Sequence, residues 1–253
     1  MTAPIRGQSL THQITHKLGI AILTGVYSAD NPIPFEADLC REYNASRPVL
    51  REAVKMLTAK GLLVSRPRLG TRVQAEEHWN MLDPDVLEWL LERKFSPGLL
   101  MEFNEIRLAV EPGGAALAAR VATEADKAAL RAAIGRMQAA DHGEDNPLDS
   151  DIAFHVAVLR ASRNRFYMQL SGFIASALRF SIRTTNRYKG VRLASSADHK
   201  KVADAIIAGR PDAASDAMRK LIQEAMDLIN RRAKPQRTRH LAGNGRREKD
   251  RSA

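Results

Sequence analysis

A single cysteine, Cys40, stands among 253 residues. An intrachain disulfide and a cysteine-built zinc site are therefore excluded, and a reducing, cytoplasmic setting is the simplest expectation. Cys40 itself is expected in the core of a short helix. Aromatic residues make up only 5% of the chain, and alanine is abundant, which leans the composition toward helix. Nowhere is there a run of about 20 apolar residues, so a membrane-spanning helix is excluded and no membrane partner is expected. Met1 to Leu10 lacks an apolar stretch, so a secretory leader is not expected.

Acidic residues are the minority, 29 against 39 Lys and Arg, which leaves a net charge of +10. The excess is not spread evenly. Residues 1–78 hold 10 basic and 7 acidic side chains, residues 79–230 hold 20 of each, and residues 231–253 hold 9 and 2. The basic ends suit a polyanion partner, and the balanced middle implies a different task.

The first 78 residues read as short helices and turns. Ile14, Leu18, Ile22 and Leu23 recur at helical spacing over His12–Thr24, and Gly25 closes that segment. Glu36 to Tyr43 is a second short helix. Asn44-Ala45-Ser46 is a turn, Ser46 an expected N-cap, and Pro48 suits the first turn of a third helix over Arg47–Lys60. Leu62-Leu63-Val64 and Thr71-Arg72-Val73 flank Pro67-Arg68-Leu69-Gly70, a hairpin signal. Three helices and a hairpin are the order of a winged helix-turn-helix, whose last helix enters a major groove. Arg47 and Arg51 share one face of that helix, and arginine matches guanine edges and phosphate. The hairpin tip offers Arg66, Arg68 and Gly70, a glycine that lets backbone approach DNA.

Beyond His78 no alternating strand pattern recurs. Helical segments are predicted from Val86, over Asn104–Ala119, after Thr123 with Asp126 three residues on, and over Asp149–Ala161, Phe166–Thr184, Ser195–Ala208 and Pro211–Arg231. The fold class is therefore mostly α: an N-terminal winged helix-turn-helix and a C-terminal all-α bundle of six or seven helices. The expected divisions are 8–78 for DNA binding, 79–100 for a linker and first helix, 101–231 for an all-α effector domain, and 232–253 for a basic, disordered tail. Trp79 and Trp89 are expected to pack between the halves.

In the bundle, Asp151 and His155 lie four apart on one helix face. His199 runs with the apolar stripe of Val202, Ala203 and Ile206. A carboxylate and two imidazoles pointing inward suit a divalent metal such as Zn, Ni or Mn, with positions left open. Arg107 is a candidate anchor for a carboxylate, or a partner of Glu111 on its own helix. Arg179, Arg183 and Ser195 are further candidates for effector contacts.

The stretch from Ile33-Pro34-Phe35-Glu36-Ala37-Asp38-Leu39 through Ser46-Arg47-Pro48-Val49-Leu50-Arg51-Glu52-Ala53 to Gly61-Leu62-Leu63 and Gly70-Thr71-Arg72-Val73 resembles the DNA-binding domain of the GntR family of bacterial transcription regulators. The resemblance implies DNA contacts from Ser46, Arg47, Pro48, Val49, Arg51 and Gly70. Many members carry an arginine near the position of Ala37, so one contact of the family is missing. Arg107, Glu111-Pro112, Asp151-Ile152-Ala153-Phe154-His155, Asn164 and His199 resemble the FadR subfamily, whose effector domain is all-α. The segment Trp79 to Trp89 is similar to repressors of galactonate catabolism and their sugar-acid-sensing relatives. These resemblances imply a homodimer on operator DNA, a small carboxylate effector held by Arg107 with Asp151, His155 and His199, and a bound metal. A fourth histidine of the subfamily falls at Leu221, which leaves three ligands. The reading is a ligand-responsive repressor and not an enzyme. A metal-sensing regulator and a metal-dependent hydrolase or isomerase are the alternatives.

Overall fold

The computed structural model describes residues 9–66, 70–90, 92–93, 96–186 and 195–233. Arg68, the side chain of Arg183, and the tail beyond residue 233 lie outside the described residues. The described residues hold ten α-helices and one two-stranded sheet.

Helix α1 spans Leu10–Leu23, with the Ser9 hydroxyl accepting from the His12 amide. Helix α2 is Glu36–Glu42 and α3 is Arg47–Ala59. Leu18, Leu23, Leu39, Leu50 and Leu57 meet beneath these helices and are almost wholly buried. Cys40 is only partly buried, packed against that core rather than within it. Ser46 holds the N-cap position of α3, but its hydroxyl makes no capping bond, a departure from expectation. It stays exposed instead. Strands β1 (Leu63–Arg66) and β2 (Gly70–Val73) pair antiparallel, with Leu63 opposite Val73 and Arg66 opposite Gly70. Gly70 has φ +74° and open space around it, a backbone conformation that other residues adopt at a cost.

The second half is helical throughout: α4 (Pro84–Leu90), α5 (Pro97–Val121), α6 (Glu124–Asp141), α7 (Pro147–Ala161), α8 (Arg165–Asn186), α9 (Ser196–Ile207) and α10 (Pro211–Ala233). Thr123 and Asp126 form a complete capping box at the start of α6, with both reciprocal bonds made. Helix α7 buries a broad face, among it Asp151, Ile152, Phe154, His155 and Val158, and leaves Asp149 and Arg160 exposed. Its Ile152 and Leu159 join a core that continues to Leu18 and Leu57 of the winged-helix half. Its Phe154 and Val158 join a second core with Ile206, Met218 and Leu221.

Both tryptophans sit where the halves meet. The Trp89 indole N–H donates to His16 Nδ1 of α1 at 2.8 Å, and that of Trp79 to the Gln74 carbonyl at 3.0 Å. The Lys60 ammonium, at the end of α3, reaches Asp83 at 2.8 Å and Asp85 at 2.7 Å. Burial pushes its pKa down, but the bonds and charges of Asp83 and Asp85 outweigh burial and hold it above its usual value. No helix among the described residues is long and apolar enough to cross a membrane.

Candidate functional site

The N-terminal end of α3 presents Ser46, Arg47, Pro48 and Arg51 as exposed residues, with Val49 half-buried. Glu36 at the start of α2 faces both arginines. Its carboxylate accepts from Arg51 Nε at 3.1 Å and lies 4.0 Å from Arg47 Nε. Spacing along α3 brought the arginines together on one face, but it gave no sign of Glu36, which lies across the turn. Glu36 therefore draws both guanidinium groups to one side of the helix.

Asp151, His155 and His199 converge as expected. One ligand atom from each lies within 4.8 Å of the others, and all three residues are buried. Helix geometry stacks Asp151 and His155 on α7, and the first turn of α9 brings His199 against them. Phe154 walls the group, its ring edge-on to both imidazoles.

The hydrogen bonds fix which nitrogens are free. His199 Nδ1 lies 3.0 Å from the Ser195 carbonyl. A carbonyl only accepts, so Nδ1 carries the proton and Nε2 a lone pair. That Nε2 is buried without a hydrogen-bond partner, 3.1 Å from Asp151 Oδ1 but out of line for a bond. His155 Nδ1 bonds to Glu111 Oε2, so His155 Nε2 also faces inward with its lone pair. Burial pushes Glu111 up, but Arg107 and His155 outweigh it and hold the carboxyl at about 2. Burial likewise pushes Asp151 up, and His199, His155 and Arg107 bring it below its ordinary value. Both carboxylates are thus ionised acceptors.

An orphaned, buried imidazole nitrogen facing a carboxylate is a costly arrangement that a proton on the nitrogen, or a metal cation between the two groups, relieves. Each imidazole is also braced through its other nitrogen, as metal-binding histidines are. The three residues fit a divalent metal on these grounds.

Arg107 lies beside this group and is 5% exposed. Its Nε donates to Glu111 Oε1 at 2.6 Å, its Nη1 to Asn104 Oδ1 at 3.3 Å, and its Nη2 lies 3.3 Å from His155 Nε2. The Arg107–Glu111 pair was legible as an i,i+4 spacing. Glu111's grip on His155, from a different helix, was not.

The remaining candidates lie elsewhere. Arg179 is half-exposed and pairs with Asp149 at 3.7 Å, a surface contact. The Ser195 hydroxyl is spent capping α9, accepting from the Asp198 amide and donating to its carboxylate at 2.8 Å. What Ser195 offers His199 is its carbonyl. Leu221 is buried in the second core as an apolar side chain.

Comparisons with known proteins agree with this organisation. Residues 10–73 match the model of bacterial regulatory proteins of the gntR family, and residues 102–248 match the FCD domain. The galactonate operon transcriptional repressor of Escherichia coli is 36% identical over 208 residues, covering 82% of this chain and 91% of that protein. The HTH-type regulator YieP of Escherichia coli is 31% identical, over 85% and 94% of the two chains. The solved structure of Lar, which controls the Listeria monocytogenes agr system, superposes with a TM-score of 0.58 at 19% identity, covering 89% and 99%. The likeness to Lar concerns the fold. The two family models and the two relatives together place the chain in the GntR family of bacterial transcription regulators, as a member whose C-terminal half is an FCD domain.

Proposed function

We propose that this transcription regulator is a homodimeric repressor released from its operator by a sugar acid of the galactonate or gluconate type, with a divalent metal at Asp151, His155 and His199. The observation that carries the reading is the orphaned Nε2 of His199, facing Asp151 in a cluster whose His155 touches Arg107. The metal supplies a Lewis-acidic point for an effector's oxygens. The chain's own residues do the rest. Ser195 and Glu111 hold the imidazoles in register, and Arg107 brings positive charge to the same spot. The name of the galactonate repressor favours a sugar acid over other carboxylates.

DNA binding falls to Arg47, Arg51 and their neighbours, with Ser46, Pro48, Val49, Arg68 and Gly70 completing the proposed contact set. One short recognition helix reads few base pairs. Two helices related by a dyad read half-sites about one helical turn apart, which favours the dimer. The proposed DNA-binding unit ends near residue 78. An effector switches such a protein only if it binds the operator-competent form and the released form unequally.

The test is a thermal-shift screen of Zn²⁺-loaded protein against aldonates, keto acids and dicarboxylates, with Arg107→Ala and His155→Ala as controls. A ligand at 100 times its Kd raises stability by about 2.7 kcal/mol. A shift with an aldonate, lost in both variants, is expected. Release of operator DNA by metal alone, with no response to any organic acid, would replace this reading with a metal sensor.

A further inference from the structure

Nitrogen Nε2 of His155 has one lone pair and two claimants. Nδ1 is bonded to Glu111 Oε2, and Arg107, which can only donate, faces Nε2. Nε2 is therefore the acceptor face of the ring. Arg107 has donors and no acceptor, and its Nη2 sits 3.3 Å from that nitrogen. The other two guanidinium nitrogens are held by Glu111 and Asn104. The Asn104 amide is itself fixed by donating to the Leu100 carbonyl at 2.7 Å. Arg107 is thus clamped in place with one arm resting on a metal ligand's lone pair.

We propose that Arg107 and the metal ion compete for the lone pair of His155 Nε2, so that metal entry is the event that frees Arg107 to receive a carboxylate. The proposal rests on the metal-site reading given above and adds an order of events to it. One lone pair cannot serve an N–H donor and a metal at once. With a metal held at that lone pair, the Nη2 group of Arg107 would lose its acceptor in a buried site. A buried donor without a partner is unfavourable, and an incoming carboxylate relieves it while bridging two positive centres. Metal and carboxylate then bind with positive coupling, and by linkage each strengthens the other. Glu111 stays bonded to both Arg107 Nε and His155 Nδ1 throughout, so it serves as the pivot.

The experiment has two parts, each using the full chain. First, Zn²⁺ affinity is measured by chelator competition in the wild type, Arg107→Met, His155→Ala and His199→Ala. Arg107→Met is expected to bind Zn²⁺ about tenfold more tightly or better, because the competing charged hydrogen bond is gone. An unchanged or weaker affinity overturns the competition. Zn²⁺ affinity unaffected by His155→Ala and His199→Ala would instead overturn the metal site itself. Second, in ¹⁵N-labelled wild type, Zn²⁺ should shift the Arg107 guanidinium signals together with His155 Nε2. Acetate should then perturb Arg107 in the Zn²⁺-loaded protein and not without metal. A His155 shift that leaves Arg107 unmoved, or an equal acetate effect without Zn²⁺, overturns the proposal. This part needs no variant, so a folding defect in Arg107→Met leaves it decisive.

Discussion

At the scale of single residues, a side chain's job here is set by the one atom it spends locally. Ser195 spends its hydroxyl on α9 and leaves only a carbonyl for His199. Thr123 spends its hydroxyl on Asp126, donating to Oδ2 at 2.7 Å while accepting from the Asp126 amide at 3.2 Å. Thr123→Ala should therefore cost about 1 kcal/mol of stability, the usual worth of such a cap, read by chemical denaturation at neutral pH. The same bond makes the effect pH-dependent. The Thr123 hydroxyl and amide hold Asp126 below its ordinary value of 3.8. A depressed carboxyl adds stability above its unfolded pKa, and that contribution is lost as pH falls through the folded one. The gap between wild type and Thr123→Ala should thus narrow on acidification below pH 3.8. A gap that stays constant to pH 2 would show that the cap does not depend on the Asp126 charge.

Among the elements, α1 and α4 pack closely at one glycine. A Cβ on Gly19 would overlap the six-membered ring of Trp89, and His16, one turn earlier, accepts from the same indole. Gly19→Ala should force the ring out of place and cost about 1–3 kcal/mol, as overpacking does. It should also break the His16 bond, so Trp emission shifts to the red. Wild-type emission and melting temperature in Gly19→Ala would show that the joint is loose. This joint shows the limit of what the sequence conveys. Periodicity located all three helices of the winged half and nearly every bundle helix, because apolar spacing along a helix is a local signal. It likewise set Asp151 over His155 and turned His199 inward. Contacts between elements were another matter. That Glu36 tethers Arg47 and Arg51, that Glu111 braces His155, and that Trp89 rests on a glycine all depend on how helices pack, which no spacing within one helix records. Residue chemistry misled in both directions: the Ser46 hydroxyl, expected to cap α3, makes no capping bond, whereas the Ser195 hydroxyl, a candidate for an effector, caps α9.

Across the whole molecule, the cores do not divide where the chain's two tasks divide. One core runs from Ile14 and Leu57 through Leu87 and Trp89 to Phe103, Ile152 and Phe173, and the other lies wholly in the later helices. Helix α7, which carries Asp151 and His155, contributes to both. Any shift of α7 would therefore press directly on the core beneath the winged half. The Lys60 ammonium, bound to Asp83 and Asp85, stiffens the same route. Its pKa is raised, so its share of stability is complete below pH 10.5 and fades as pH rises through the folded value. Both of the chain's tryptophans lie at this joint, so their fluorescence reports the joint while far-ultraviolet dichroism reports all helices. Saturating Zn²⁺ should raise the midpoint of both signals together, because the shared core unfolds as one unit. Lys60→Met should lower the tryptophan midpoint and shrink its response to Zn²⁺, since the linker then transmits less strain. A tryptophan transition that ignores Zn²⁺ while the helical signal moves would mean the two halves melt independently, and that the metal site acts on DNA binding by some route other than the shared core.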